Sequence, residues 1–108
     1  MKLTKKQTSM KLTIADRISL QQILPVQDSF ENLIMRSDIL ERTKISSEEI
    51  ENNNIRSEDG RITWTETEPK EYEFIAIEEK YIGDVLKKLS DEKKLQAIQI
   101  SLYKLFVK

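Results

Sequence analysis

DGRITWTETEPKEYEFIAI, residues 59–77, decides how the chain is read, because the spacing of its apolar residues changes there. Elsewhere apolar residues recur every three or four positions, the period of a helix; within this stretch they alternate with polar ones, the period of a strand. Asp59-Gly60 is a turn signal, and the segment after it, Arg61-Ile62-Thr63-Trp64-Thr65, is rich in β-branched and aromatic residues. Glu71-Tyr72-Glu73-Phe74-Ile75-Ala76-Ile77 is a second strand candidate. The connection from Glu66 to Lys70 contains Pro69 and is short enough for a hairpin, so these two segments are expected to pair with each other. A two-stranded hairpin is not stable alone and must pack on helices or pair with another strand.

Three helices are expected before it. The first runs from Ile14 to Leu24, with Thr13 as N-cap, Asp16 three residues on, and Pro25 as the stop. Ile14, Ile18, Leu20, Ile23 and Leu24 cover more than one narrow stripe, which predicts a well-buried helix. The second spans Ser29 to Arg42 with Asp28 as cap and Phe30, Leu33, Ile34 and Leu40 on one side; its first half, Phe30 to Met35, also fits a short strand. The third is short, starting at Ser46 or Ser47, where Ser-Ser-Glu-Glu places caps and acids at the positive end of the helix dipole, and ending at Asn52-Asn53-Asn54.

Two more helices are expected after the strands. One spans Glu78 to Leu89 and buries Tyr81, Ile82, Val85 and Leu89. Ser90-Asp91 breaks it, and the last helix runs from Glu92 to Phe106 with Leu95, Ile98, Leu102, Leu105 and Phe106 on one face. The expectation is therefore a small, mostly helical α+β domain of about five helices and one antiparallel β-hairpin, occupying residues 12–108. A chain of 108 residues suits a single domain. Residues 1–11 carry four lysines and no periodicity, and are expected to form a flexible tail. Lys2-Leu3-Thr4 recurs as Lys11-Leu12-Thr13, and Met10 offers a second start, which leaves open whether residues 1–9 belong to the native protein.

Composition excludes much chemistry. With no cysteine there is no disulfide, thiolate zinc site or iron–sulfur cluster, and with no histidine the usual general base and the nucleophilic triads are gone. Two glycines, Gly60 and Gly83, are too few for a phosphate-cradling loop. Carboxylates remain, but the adjacent pairs Glu48/Glu49, Glu78/Glu79 and Asp91/Glu92 all sit at expected helix starts, where acids are routine. Asn52-Asn53-Asn54 through Glu58-Asp59-Gly60 lacks the spacing of a calcium loop. The expectation is a non-enzyme with no cofactor and no metal. No apolar run reaches the ~18–20 residues that span a bilayer, and the Lys-rich N-terminus lacks a signal peptide's apolar stretch, so the expected location is the cytoplasm.

Charge is unevenly spread. Residues 46–79 hold eleven acids and three bases, a local charge of −8, whereas residues 80–108 hold seven bases and three acids. The order helix, helix, helix, hairpin matches that of a winged-helix module, a DNA-binding arrangement. In that scheme Ser47 to Ile55 is the recognition helix and Glu66, Glu68, Glu71 and Glu73 lie on the wing, both of the wrong sign for DNA. A protein partner fits the charge better. The candidate contact residues are Arg61, Trp64, Glu66, Glu68 and Tyr72 on the acidic hairpin, with Trp64 either an anchor for the partner or a cap on the core. The last helix, with Tyr103 and Phe106, either pairs with a second copy as a homodimer or closes the core of one chain.

The segments Leu-Thr-Ile-Ala-Asp-Arg-Ile-Ser-Leu and Ile-Leu-Pro within 12–25, Ser-Ser-Glu-Glu at 46–49, Ile-Thr-Trp at 62–64, Leu-Lys-Lys-Leu-Ser-Asp-Glu-Lys-Lys-Leu at 86–95 and Ser-Leu-Tyr-Lys-Leu-Phe at 101–106 together resemble small proteins encoded by phages and prophages. The resemblance covers nearly the whole chain after Met10. It implies an origin in a mobile element and action in a host cytoplasm, and carries over no functional residues. The combined expectation is a non-catalytic interaction or regulatory protein, with a winged-helix-like DNA-binding regulator as the alternative.

Overall fold

Lys70–Ile75 finds its strand partner near the start of the chain. The computed structural model describes residues 7–107, in the order β1 (Gln7–Leu12), α1 (Ile14–Ile23), α2 (Phe30–Thr43), α3 (Ser47–Asn52), β2 (Arg56–Glu58), β3 (Arg61–Thr63), β4 (Lys70–Ile75) and α4 (Ala76–Asp91). A 3₁₀ turn at Ala97–Gln99 then leads into α5 (Ile100–Phe106). The architecture is a small α+β fold with five α-helices and two antiparallel two-stranded sheets among the described residues.

β1 and β4 pair from Gln7↔Ile75 to Leu12↔Lys70. Two expectations change here. Residues 7–11 are a strand rather than a tail, and residues 1–6 lie outside the described part. The segment holds only two strongly apolar residues, Met10 and Leu12, but these alternate with exposed Ser9 and Lys11 and are both buried. Their side chains join Phe74 of β4 in the core, while Lys11 stands opposite Glu71 on the solvent face.

The second change concerns the hairpin. β3 pairs backward with β2 across Asp59-Gly60, with Ser57↔Ile62 and Glu58↔Arg61 in register, and not forward with β4. Asp59 and Gly60 both take positive φ, 50° and 74°, as the tight two-residue turn between twisted strands requires. The strand-like stretch 61–75 is therefore divided between two sheets.

The helices begin where their caps dictate. The Thr13 hydroxyl accepts from Asp16 N–H at 3.1 Å and the Asp16 carboxylate accepts from Thr13 N–H at 3.0 Å. Ser46 and Glu49 repeat that reciprocal box at α3. Ser29, rather than Asp28, caps α2, accepting from Asn32 N–H at 3.2 Å. α4 starts at Ala76, earlier than the spacing predicts, because Glu78 reaches back to accept from Ile75 N–H at 3.1 Å. It ends in a tight turn in which Lys93 adopts φ 59° and Lys94 N–H donates to the Leu89 carbonyl at 2.7 Å. That turn replaces the first part of the expected last helix, so regular helix resumes only at Ile100.

One core serves these elements: Leu12, Leu20, Leu24, Ile39, Phe74, Ile82, Leu86 and Leu102 are its best-buried members. Phe74 and Phe106 meet edge to face with centroids 5.3 Å apart, so α5 buries Leu102 and Phe106 in its own chain. α2 departs from expectation. Phe30 and Ile34 are 74% and 49% exposed, and the helix instead turns Ile39 and Thr43 inward.

Candidate protein-binding face

Arg17 holds this region together. On α1 it is 3% exposed, its Nε donates to the Thr43 carbonyl at 2.9 Å and one terminal nitrogen donates to the Lys44 carbonyl at 2.6 Å. Both terminal nitrogens also donate to the Glu49 carboxylate, at 2.5 and 2.9 Å. This clamp fixes α3 against α1 and so sets where the hairpin that follows α3 emerges. Hydrogen bonds from Arg17 hold Glu49 down to about 2, against an opposing push from burial. The Tyr72 ring lies under the same guanidinium, 5.5 Å away.

Between α1, α3 and the β2–β3 hairpin runs a groove of about 420 Å³, lined by Ile18, Gln21, Gln22, Ile45, Ile50, Ile55 and Ile62. Ile50 and Ile62 are 44% and 40% exposed on its rim. The register explains the clustering. Ile62 stands opposite Ser57, and Ile55, two residues before Ser57, projects to the same side. Every residue of β2 and β3 is exposed, so the hairpin presents itself to solvent.

The chain leaving β3 is tied back to α3, with Thr65 N–H donating to the Asn53 carbonyl at 2.7 Å. Trp64 Nε1 donates to the Glu66 carboxylate at 3.0 Å, which fixes the half-buried indole two residues from Ile62. The exposed carboxylates next to the groove residues in the chain are Glu51 on α3, beside Ile50, and Glu66 on the strap, whereas Glu58 pairs with Arg61 on the other side of the hairpin. Arg56 and Arg61 are the exposed bases of the hairpin.

Of the candidate residues, Arg61, Trp64 and Glu66 share the hairpin and its strap. Glu68 instead lines a polar cleft with Arg17, Glu49, Asn52, Asn53 and Lys70. Tyr72 belongs to the other sheet, half-buried beneath Arg17, and so does not face Trp64. The wing of the winged-helix alternative also changes content: the hairpin holds Arg56, Glu58, Asp59 and Arg61, while Glu71 and Glu73 pair with β1. The isoleucine groove escaped sequence reasoning. Its signal was Arg56-Ser57-Glu58 before Asp59-Gly60, three residues too polar to look like a strand without their partner.

Of the adjacent acid pairs, Glu48/Glu49 and Glu78/Glu79 stand at helix starts as expected, whereas Asp91 and Glu92 end α4, because the turn at Lys93 replaces the start of the expected last helix. Glu49 and Glu78 each cap a helix and pair with an arginine; Arg42 grips Glu78 through two contacts of 2.7 and 3.0 Å. Burial alone raises Glu78, but the bonds from Arg42 and Ile75 outweigh it and leave its carboxyl lowered. Among the described residues no helix is long and apolar enough to cross a membrane, and no three side chains are grouped to hold a metal ion. No protein-family model, curated protein or solved structure matches the chain.

Proposed function

We propose that the protein is a non-catalytic interaction module that grips a protein partner through the isoleucine groove and its hairpin. The partner contributes a basic amphipathic segment. The observation that carries the reading is the exposed Ile50–Ile62 rim, an apolar surface bordered by carboxylates in the most acidic part of the chain. Apolar side chains of a partner helix fill the groove, and its lysines and arginines meet Glu51 and Glu66. Action in a host cytoplasm as a phage- or prophage-derived regulator belongs to the same proposal and rests on the sequence resemblance.

Trp64 is the only tryptophan in the chain and follows two residues after Ile62 of the groove, so its fluorescence serves as the probe of occupancy. A titration compares a basic amphipathic helical peptide with a scrambled peptide of equal charge. The proposal predicts a saturable change with the first and none with the second. An equal response to both would reduce the effect to bulk charge and end the proposal.

A further inference from the structure

The β1–β4 sheet has two edges, and the chain closes only one of them. On the outer side of β4, the Glu73 carbonyl accepts from the Arg42 guanidinium at 2.8 Å, and Ile75 N–H donates to the Glu78 carboxylate at 3.1 Å. Arg42 and Glu78 also pair with each other at 2.7 Å, which seals that edge. These two bonds set the phase of the ladder. The Glu73 carbonyl and the Ile75 N–H point away from β1, so Ser9↔Glu73 and Gln7↔Ile75 are pairs that exchange no hydrogen bonds. By the same alternation, the main-chain groups of Gln7, Ser9 and Lys11 point away from β4.

That edge of β1 is open. Beyond the β1–β4 ladder, the main chain of Ser9 and Lys11 makes no hydrogen bond to another element among the described residues, and both residues are exposed. Natural sheets pair, cover or blunt such an edge, and two strands alone make a marginal sheet.

We infer that a second copy of this chain covers the edge, its β1 running antiparallel to the first about a two-fold axis at Ser9. Strand β1 is self-complementary in that register. Ser9 meets Ser9 of the second copy, Gln7 meets its Lys11, and Lys11 meets its Gln7, so every outward-facing residue of one strand finds an outward-facing residue of the other. The result is one sheet in the order β4-β1-β1-β4. The neighbouring registers are worse. An axis at Lys11 sets two lysines directly opposite each other. An axis at Thr8 or Met10 matches only two of the three outward-facing residues, and one at Gln7 leaves Ser9 and Lys11 without partners inside the strand.

The test is sedimentation velocity of the full chain over a range of concentrations, repeated on Ser9→Lys. It is joined by oxidative cross-linking of Ser9→Cys and Lys11→Cys, in a chain that otherwise has no cysteine. The expected result is a monomer–dimer equilibrium. Ser9→Lys puts like charges opposite each other at the axis and should raise the dimer's dissociation constant about fivefold. Within one chain the new ammonium faces Glu73, so the Tm of the monomer should not fall. Ser9→Cys should oxidise to a linked dimer, because directly opposed hydrogen-bonded residues lie about 5.5 Å apart at Cα, within disulfide reach. Lys11→Cys should not, because four residues of strand, about 13 Å, separate the two positions. A monomer at every concentration, an unchanged dissociation constant in Ser9→Lys, or equal cross-linking from both cysteine variants would each overturn the inference. If Ser9→Lys does not fold, the cross-linking pair decides alone.

Discussion

Arg17 and Glu49 meet through two parallel hydrogen bonds, and the same carboxylate caps α3 by accepting from Ser46 N–H at 3.1 Å. One side chain thus both starts a helix and locks it to its neighbour. Glu49 titrates at about 2 in the folded protein against an ordinary 4.5. A depressed carboxyl stabilises the fold above its unfolded value, and that contribution is lost as pH falls through the folded one.

Stability should therefore fall between about pH 4.5 and pH 2, with the lowered Glu78 acting in the same direction. Glu49→Gln keeps an oxygen for the cap but loses the charge. Denaturant midpoints of wild type and Glu49→Gln should differ most near pH 6 and converge toward pH 2–3. A gap that stays constant with pH would contradict this assignment.

Deleting residues 1–9, as a start at Met10 would, removes Gln7, Thr8 and Ser9 from β1 and leaves Ile75, Phe74 and Glu73 without their cross-strand partners. The loss should be about 1–3 kcal/mol, a few net hydrogen bonds, seen as a lower Tm. A melting curve identical to that of the full chain would show that the first half of β1 is dispensable.

Gly83 sits where α4 passes α5, and a Cβ there would lie 2.9 Å from the Phe106 carbonyl oxygen. Backbone cannot yield as a flexible side chain does. Gly83→Ala should destabilise by about 1–3 kcal/mol, outweighing the roughly 1 kcal/mol that alanine normally gains inside a helix. A raised Tm would mean that the helices separate without cost.

The helices were legible because their start signals are local: Thr13 with Asp16, and Ser46 with Glu49, act within one turn. Strand pairing is not local. Nothing within 61–75 says that Arg61–Thr63 turns back to Arg56–Glu58 while Lys70–Ile75 crosses to Gln7–Leu12. β1 was hidden by its polarity, since only Met10 and Leu12 mark its inner face. The site was half legible for the same reason. Trp64 and Glu66 stand side by side through a local hydrogen bond, but Ile45, Ile50, Ile55 and Ile62 become one surface only when Arg17 docks α3 and the hairpin folds back. Phe30 and Ile34 show the converse, a helical apolar stripe that the tertiary fold leaves in solvent.

The most direct test of the groove is affinity capture from a cell lysate after nuclease treatment, comparing wild type with Ile50→Asp/Ile62→Asp. Both positions are partly exposed on the groove's rim, so the double variant should keep its circular dichroism spectrum with a modest fall in Tm. The account predicts a stoichiometric protein partner that survives nuclease and is lost with the double variant. A partner held equally by the folded double variant, or recovery that depends on nucleic acid, would contradict it.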